Sequence, residues 1–218
     1  MSVQAGLRDI LRAAPVIPVV VIDDVAHAVP LARALVAGGL PVIEITLRTA
    51  AGLDAIRAIA AEVQGALVGV GTVLEPAQYY AAAQAGARFA VSPGATAKLL
   101  DAAVDSGLAA LPGISTASEA MVLIERGYEF AKFFPAEPAG GAPFLSSIAS
   151  PLPQLTFCPT GGITLESAPK YLKLPNVICV GGSWMVNRAA MAAGDWAGIT
   201  SLAAKAAELN IHRGEHGK

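Results

Sequence analysis

Short apolar runs recur along this chain at a nearly constant interval. Pro15–Ile22, Pro41–Leu47, Leu67–Leu74, Phe89–Pro93, Ala109–Ile114, Phe130–Ala136, Thr156–Gly161 and Val177–Gly182 begin about 20 to 26 residues apart, which fits a strand followed by a helix, repeated. Most are continuous rather than alternating, as expected of parallel strands covered on both faces. The segments between them have helical spacing. Val25–Ala37 places Val25, Val29, Ala32, Leu35 and Val36 on one stripe, and Gly38-Gly39 supplies a stop. Gly52–Val63, Pro76–Gln84, Thr96–Asp105 and Ala117–Arg126 follow the same pattern. Asp23-Asp24, Glu75 before Pro76, and Ser115-Thr116 are start signals; Gly86, Gly107 and Gly127 are stops. The segment after the seventh run is the poorest helix, because Pro169 falls inside it.

Residues 4–13 carry Arg8, Asp9 and Arg12 among apolar positions and predict an amphipathic N-terminal helix rather than a secretory signal. Eight alternating units with no linker predict one domain over residues 1–218, a (β/α)8 barrel with an additional N-terminal helix. The tail after about residue 210 has no assigned role. An open doubly wound sheet is the alternative. Its sole support is Gly69-Val70-Gly71, a dinucleotide-like start that lacks the third glycine.

Composition narrows the function. Seventeen acidic against fifteen basic residues leave no field of one sign, so nucleic acid is not an expected partner. Hydrophobic residues make up 54% of the chain, yet the most apolar run, Ala13 to Ile22, is broken by Pro15 and Pro18 and is too short to span a bilayer. No membrane association is expected; part of the apolar excess suits a subunit interface. Cys158 and Cys179 fall inside predicted strands and read as small buried apolar groups, which points to the cytoplasm.

Barrel enzymes carry their chemistry at the C-terminal ends of the strands, and unusual polar residues gather there. Lys132 lies among Phe130, Phe133 and Phe134. Burial there penalises the ammonium form and favours a neutral amine, the nucleophile that attacks a carbonyl. The alternative is a lysine that snorkels to water or pairs with an acid. Glu44, between Ile43 and Ile45, needs a partner too. Facing Lys132 it would shuttle protons; equally, the two would make a structural ion pair. Arg48 is four residues beyond Glu44, on the same strand face, and suits a two-pronged grip on an anion, or is a surface charge. Thr72 offers a hydroxyl or simple packing. Gly161-Gly162 and Gly181-Gly182-Ser183 end the seventh and eighth strands, where barrels build phosphate sites; ordinary tight turns are the other reading. His27 lies on a helix, and His212 and His216 lie in the tail. No metal-ligand spacing, Ser-His-Asp set or nucleophile elbow occurs, so neither a metal nor a cofactor is expected.

The motifs together resemble the 2-keto-3-deoxy-6-phosphogluconate (KDPG) and 4-hydroxy-2-oxoglutarate (KHG) aldolase family. They are Glu44 to Thr49, Gly71 to Leu74, Ser92-Pro93-Gly94, Pro112 to Thr116, Lys132 to Glu137, Cys158 to Ile163 and Gly181 to Trp184, in order over nearly the whole chain. The resemblance implies an imine-forming aldolase with Lys132 as the Schiff-base lysine and Glu44 as the general acid/base. It implies that Arg48 and Thr72 bind the pyruvate carboxylate, that Pro93 walls that end, and that Thr160 contacts the substrate chain. It implies that Gly161, Gly162, Gly182 and Ser183 cradle the phosphate, and that the chain forms a homotrimer. The rivals are a sister aldolase, for the 6-phosphogalactonate epimer or for 4-hydroxy-2-oxoglutarate, the latter also compatible with dual activity through the shared pyruvate half, and a barrel that only binds or isomerises a sugar phosphate.

Overall fold

The computed structural model describes residues 4–209. Nine parallel strands are present: β1 (Val16–Val20), β2 (Val42–Thr46), β3 (Leu67–Gly71), β4 (Phe89–Val91), β5 (Ala109–Leu111), β6 (Gly113–Ile114), β7 (Phe130–Phe133), β8 (Thr156–Pro159) and β9 (Val180–Gly182). β5 and β6 are two halves of one run, parted at Pro112, which has no N–H to give a ladder. The Pro112 carbonyl instead accepts from Lys132 N–H at 2.9 Å.

The strands follow one another in chain order. One ladder runs β5-β4-β3-β2-β1-β9 and another β6-β7-β8. Isolated parallel bridges, Phe157 to Val177 and Thr160 to Gly181, tie β8 to the run that contains β9. The last strand thus returns to the first. A doubly wound sheet instead reverses its order at an inner strand. The fold is a (β/α)8 barrel. Gly69 and Gly71 also have a packing reason to be glycine: a Cβ would lie 2.4 Å from the Phe89 ring at Gly69 and 2.2 Å from Glu44 Oε1 at Gly71.

The helices are α1 (Leu7–Arg12), α2 (Ala28–Ala37), α3 (Gly52–Glu62), α4 (Pro76–Gln84), α5 (Ala97–Ser106), α6 (Ala117–Glu125), α7 (Gly141–Ile148), α8 (Ala168–Leu172), α9 (Arg188–Ala192) and α10 (Trp196–Ala207). The strands are shorter than the apolar runs suggest, because the run ends become loops, whereas α4 keeps the bounds its spacing predicts. Val25–His27 forms a 3-10 turn capped by Asp24 before α2 begins. Glu75 with Gln78, and Thr116 with Glu119, close reciprocal capping boxes. Pro169 is harmless because it sits in the first turn of α8, where an N–H has no helical partner. The hydrophobic spacing does not single out α7, α9 or α10. α10 packs on the end of α2, where a Cβ on Gly38 would lie 2.5 Å from Ala203 Cβ. The tail after residue 210 lies outside the described residues.

Period-two alternation splits the apolar residues into two cores. Ala131, Phe133, Ile43 and Ile45 point outward to the helices. Val42, Phe89, Val91, Leu111, Phe130 and Cys158 point into the barrel, and Leu7 and Leu11 of α1 close its floor, both fully buried. Gln4, just before α1, stitches a seam there. Its amide donates to the carbonyls of Ala110 (2.7 Å) and Phe130 (2.8 Å), and its oxygen accepts from Glu129 N–H (2.7 Å) and Phe130 N–H (2.9 Å). These bonds stand in for the ladder that β5 and β7 do not make with each other.

Replacing Gln4 by Ala leaves buried backbone groups without partners and is expected to destabilise the fold by about 2–4 kcal/mol. Urea titration of the two proteins measures the difference; a change below about 0.5 kcal/mol contradicts the stitch.

Candidate active site

The same alternation that sends Phe130 and Val42 into the floor sends Lys132 and Glu44 into the layer above it. Lys132 Nζ lies 3.3 Å from Glu44 Oε1, with the side chains 5% and 4% exposed. Neither charge has water to fall back on, so each depends on the other. Glu44 reaches across because Gly71, on the next strand, has no side chain in its path. Gly113, beside Lys132 in the ladder, lets the chain pass close to Pro93, whose carbonyl would be 2.3 Å from a Cβ there. The Lys132 ammonium also lies 5.2 Å from the centre of the Phe134 ring.

Arg48 stands two residues past the end of β2, in a turn rather than on the strand face. Its Nε donates to Thr72 Oγ1 at 3.2 Å. Thr72 has φ 60°, a left-handed conformation that β-branched residues rarely adopt. That backbone is consistent with a role in the site, where strain tends to concentrate.

A cavity of about 410 Å³ opens at this end of the barrel. Arg48, Thr160, Gly161, Gly162, Gly182 and Ser183 all line it, together with Phe134, Val19 and Arg188. Lys132, Glu44, Thr72 and Pro93 are not in its wall; Phe134 and Arg48 connect it to the first three. Pro93 backs onto Gly113 instead. Gly161 (φ 108°) and Gly162 (φ 81°) hold conformations that glycine alone adopts readily. Gly181 leaves room for Thr160 Oγ1, and Gly182 for the Trp184 ring.

A second loop braces this cradle. Ala136 and Glu137 N–H donate to the carbonyls of Thr160 (2.8 Å) and Gly161 (3.0 Å). Tyr171 O–H donates to Glu137 Oε1 at 2.8 Å. Burial, then the Glu137 hydrogen bond and charge, push the Tyr171 hydroxyl well above its ordinary value, so it stays a donor at neutral pH. Sequence reasoning missed Phe134, Arg188 and this brace. Arg188 had one visible signal, a cation five residues beyond Ser183. Among the described residues no cluster of His, Cys, Asp and Glu could hold a metal ion.

The family model described as "KDPG and KHG aldolase" matches residues 7–202. The 2-dehydro-3-deoxy-phosphogluconate aldolase of Pseudoalteromonas atlantica is 53% identical over 199 residues, covering 91% of this chain and 93% of the relative. The KHG/KDPG aldolase of Escherichia coli K12 is 52% identical over 205 residues, covering 94% and 96%. A crystal structure of KDPG aldolase from Legionella pneumophila, with pyruvate captured as a covalent carbinolamine intermediate, superposes with a TM-score of 0.91 at 44% identity, covering 94% of this chain and 99% of that one. This chain belongs to the KDPG and KHG aldolase family.

Proposed function

We propose that this protein cleaves 2-dehydro-3-deoxy-6-phosphogluconate to pyruvate and glyceraldehyde 3-phosphate through an imine on Lys132. The observation that carries the reading is the buried Lys132–Glu44 pair at 3.3 Å, next to a cavity that ends in two glycine loops. A proton passed from Lys132 to Glu44 frees the amine lone pair. The amine adds to the C2 ketone, Glu44 returns the proton to the departing hydroxyl, and loss of water gives a protonated imine. That cation accepts the electrons of the breaking C3–C4 bond while Glu44, as carboxylate, takes the C4 hydroxyl proton. Glyceraldehyde 3-phosphate leaves. Protonation of the enamine at C3 and attack by water release pyruvate and restore Lys132. The covalent intermediate divides one hard step into easier ones. The carbinolamine named for the Legionella enzyme is the first adduct on this path.

Arg48 and Thr72 bind the carboxylate, and Pro93 supports that end from behind Gly113, beside Lys132. Thr160 meets the substrate chain. Gly161, Gly162, Gly182 and Ser183 take the phosphate, with backbone N–H groups that glycine leaves uncovered. No metal or cofactor enters any step. The pyruvate half is shared with 4-hydroxy-2-oxoglutarate, and the E. coli relative is named for both substrates; cleavage of that substrate to pyruvate and glyoxylate is proposed as a second activity.

The chain is proposed to act as a homotrimer. Leu74, Tyr80, Val104, Met121 and Val122 are 42–58% exposed on and beside α4, α5 and α6, an apolar face that suits association. A cytoplasmic location follows from the substrate, since a sugar phosphate that carries a carboxylate as well does not cross a bilayer unaided.

Incubation with pyruvate and borohydride is expected to leave a reduced adduct on the peptide that contains Lys132. Lys132→Ala should give no adduct and no turnover in folded protein; persistent activity rules the imine out. Glu44→Gln should keep the fold and lower kcat by about 10²–10⁴-fold, read with saturating substrate; a rate near normal removes Glu44 from the proton transfers. Met121→Glu combined with Val104→Glu should shift the mass measured by light scattering from trimer to monomer. A trimer that survives both changes places the interface elsewhere.

A further inference from the structure

We infer that Arg188 is a phosphate-binding residue, a cation added to the glycine cradle that sets the preference for a phosphorylated over an unphosphorylated substrate. This rests on the proposed aldolase reading and deepens it. The proposed cradle is electrically neutral, made of glycine N–H groups and the Ser183 hydroxyl, whereas a phosphate monoester near neutral pH approaches two negative charges. The cavity is lined by two cations and no carboxylate. One cation is Arg48, tied to Thr72 at 3.2 Å and occupied with the carboxylate end. The other is Arg188. A turn in which Val186 N–H donates to the Ser183 carbonyl at 3.1 Å folds the chain back, so that Arg188 faces the same cavity as Ser183.

The present partner of Arg188 holds it weakly. Its Nε and Nη2 lie 3.4 and 3.5 Å from the Asp23 oxygens, with side chains 67% and 60% exposed. Such a pair is loosely made and contributes little. Asp23, Asp24 and His27 line a smaller cavity of about 110 Å³ that shares Arg188 and Met191 with the larger one. Arg188 therefore stands on the wall between the two. Asp24 is engaged with Ala26 N–H at 2.9 Å, and the His27 ring lies 5.9 Å from that of Trp196, so Asp23 is the competitor. A rotation of one long side chain exchanges Asp23 for the phosphate, where the planar guanidinium makes shorter, charge-assisted bonds.

The test compares KM and kcat on the 6-phosphogluconate-derived substrate and on 4-hydroxy-2-oxoglutarate. Arg188→Gln is expected to raise KM for the first by about five- to tenfold, one partly exposed charged contact, with kcat and all values for the second unchanged. Arg188→Lys should recover most of the loss. Asp23→Asn, which releases the arginine, should lower KM for the phosphorylated substrate. Equal effects on both substrates, or none, overturn the inference. Should the wild-type protein turn over neither substrate, the aldolase reading fails, and titration with inorganic phosphate, followed by the fluorescence of Trp184 beside Gly182, still decides on Arg188. Weaker binding in Arg188→Gln supports the assignment and unchanged binding ends it.

Discussion

A lysine and a glutamate buried in the interior of an apolar barrel are the constraint around which the rest is arranged. Each has 5% or less of its side chain exposed, and burying either charge without the other is costly. Gly71 exists to let Glu44 reach across, and Gly113 lets the chain run close to Pro93 beside Lys132. Side chains that would strengthen these strands are missing because Glu44 takes the space at Gly71 and the Pro93 backbone takes it at Gly113. Proximity of amine and carboxylate serves structure and chemistry together. The pair lies 3.3 Å apart, a hydrogen-bonded contact between amine and carboxylate.

The barrel separates its tasks by height. The lower interior is hydrocarbon, from Phe89, Phe130 and Leu111, with Leu7 and Leu11 closing it. The upper interior holds the ionic pair, and the loops above carry the glycines. Because side chains alternate along each strand, two residues separate a floor position from a reactive one: Phe130 and Lys132, Val42 and Glu44. The reactive groups inherit the rigidity of the layer beneath them.

Much of this is legible in the sequence, for reasons that can be stated. The eight-fold rhythm appears because each strand is buried on both faces and is followed by a helix with an apolar stripe. Lys132 and Glu44 stand out because charge within an apolar run costs too much to be casual. Other features depend on what lies far along the chain. Pro112 splits the fifth strand, yet nothing beside it reveals that Lys132 will take its carbonyl. The Gln4 stitch joins residues 106 and 126 positions apart. Gly69-Val70-Gly71 resembles a nucleotide turn until Phe89 and Glu44 fill the space above it. Arg48 shares the facing of Glu44 only if the strand continues, and it ends at Thr46. Pro93 backs onto Gly113 next to Lys132, a placement that depends on two distant strands lying side by side. Arg188 is an ordinary helix residue until the turn after Ser183 brings it back.

The closed floor has a consequence for traffic. With Leu7 and Leu11 fully buried beneath the lysine, the approach to it among the described residues lies at the other end, where the cavity opens. Whatever reaches the amine enters there, and both fragments of the cleaved chain leave by the same door. In the proposed mechanism the imine tethers the keto acid while the aldehyde is free to leave. With one mouth serving both fragments, that tether alone would set the order of departures, aldehyde first and keto acid second, without any moving part.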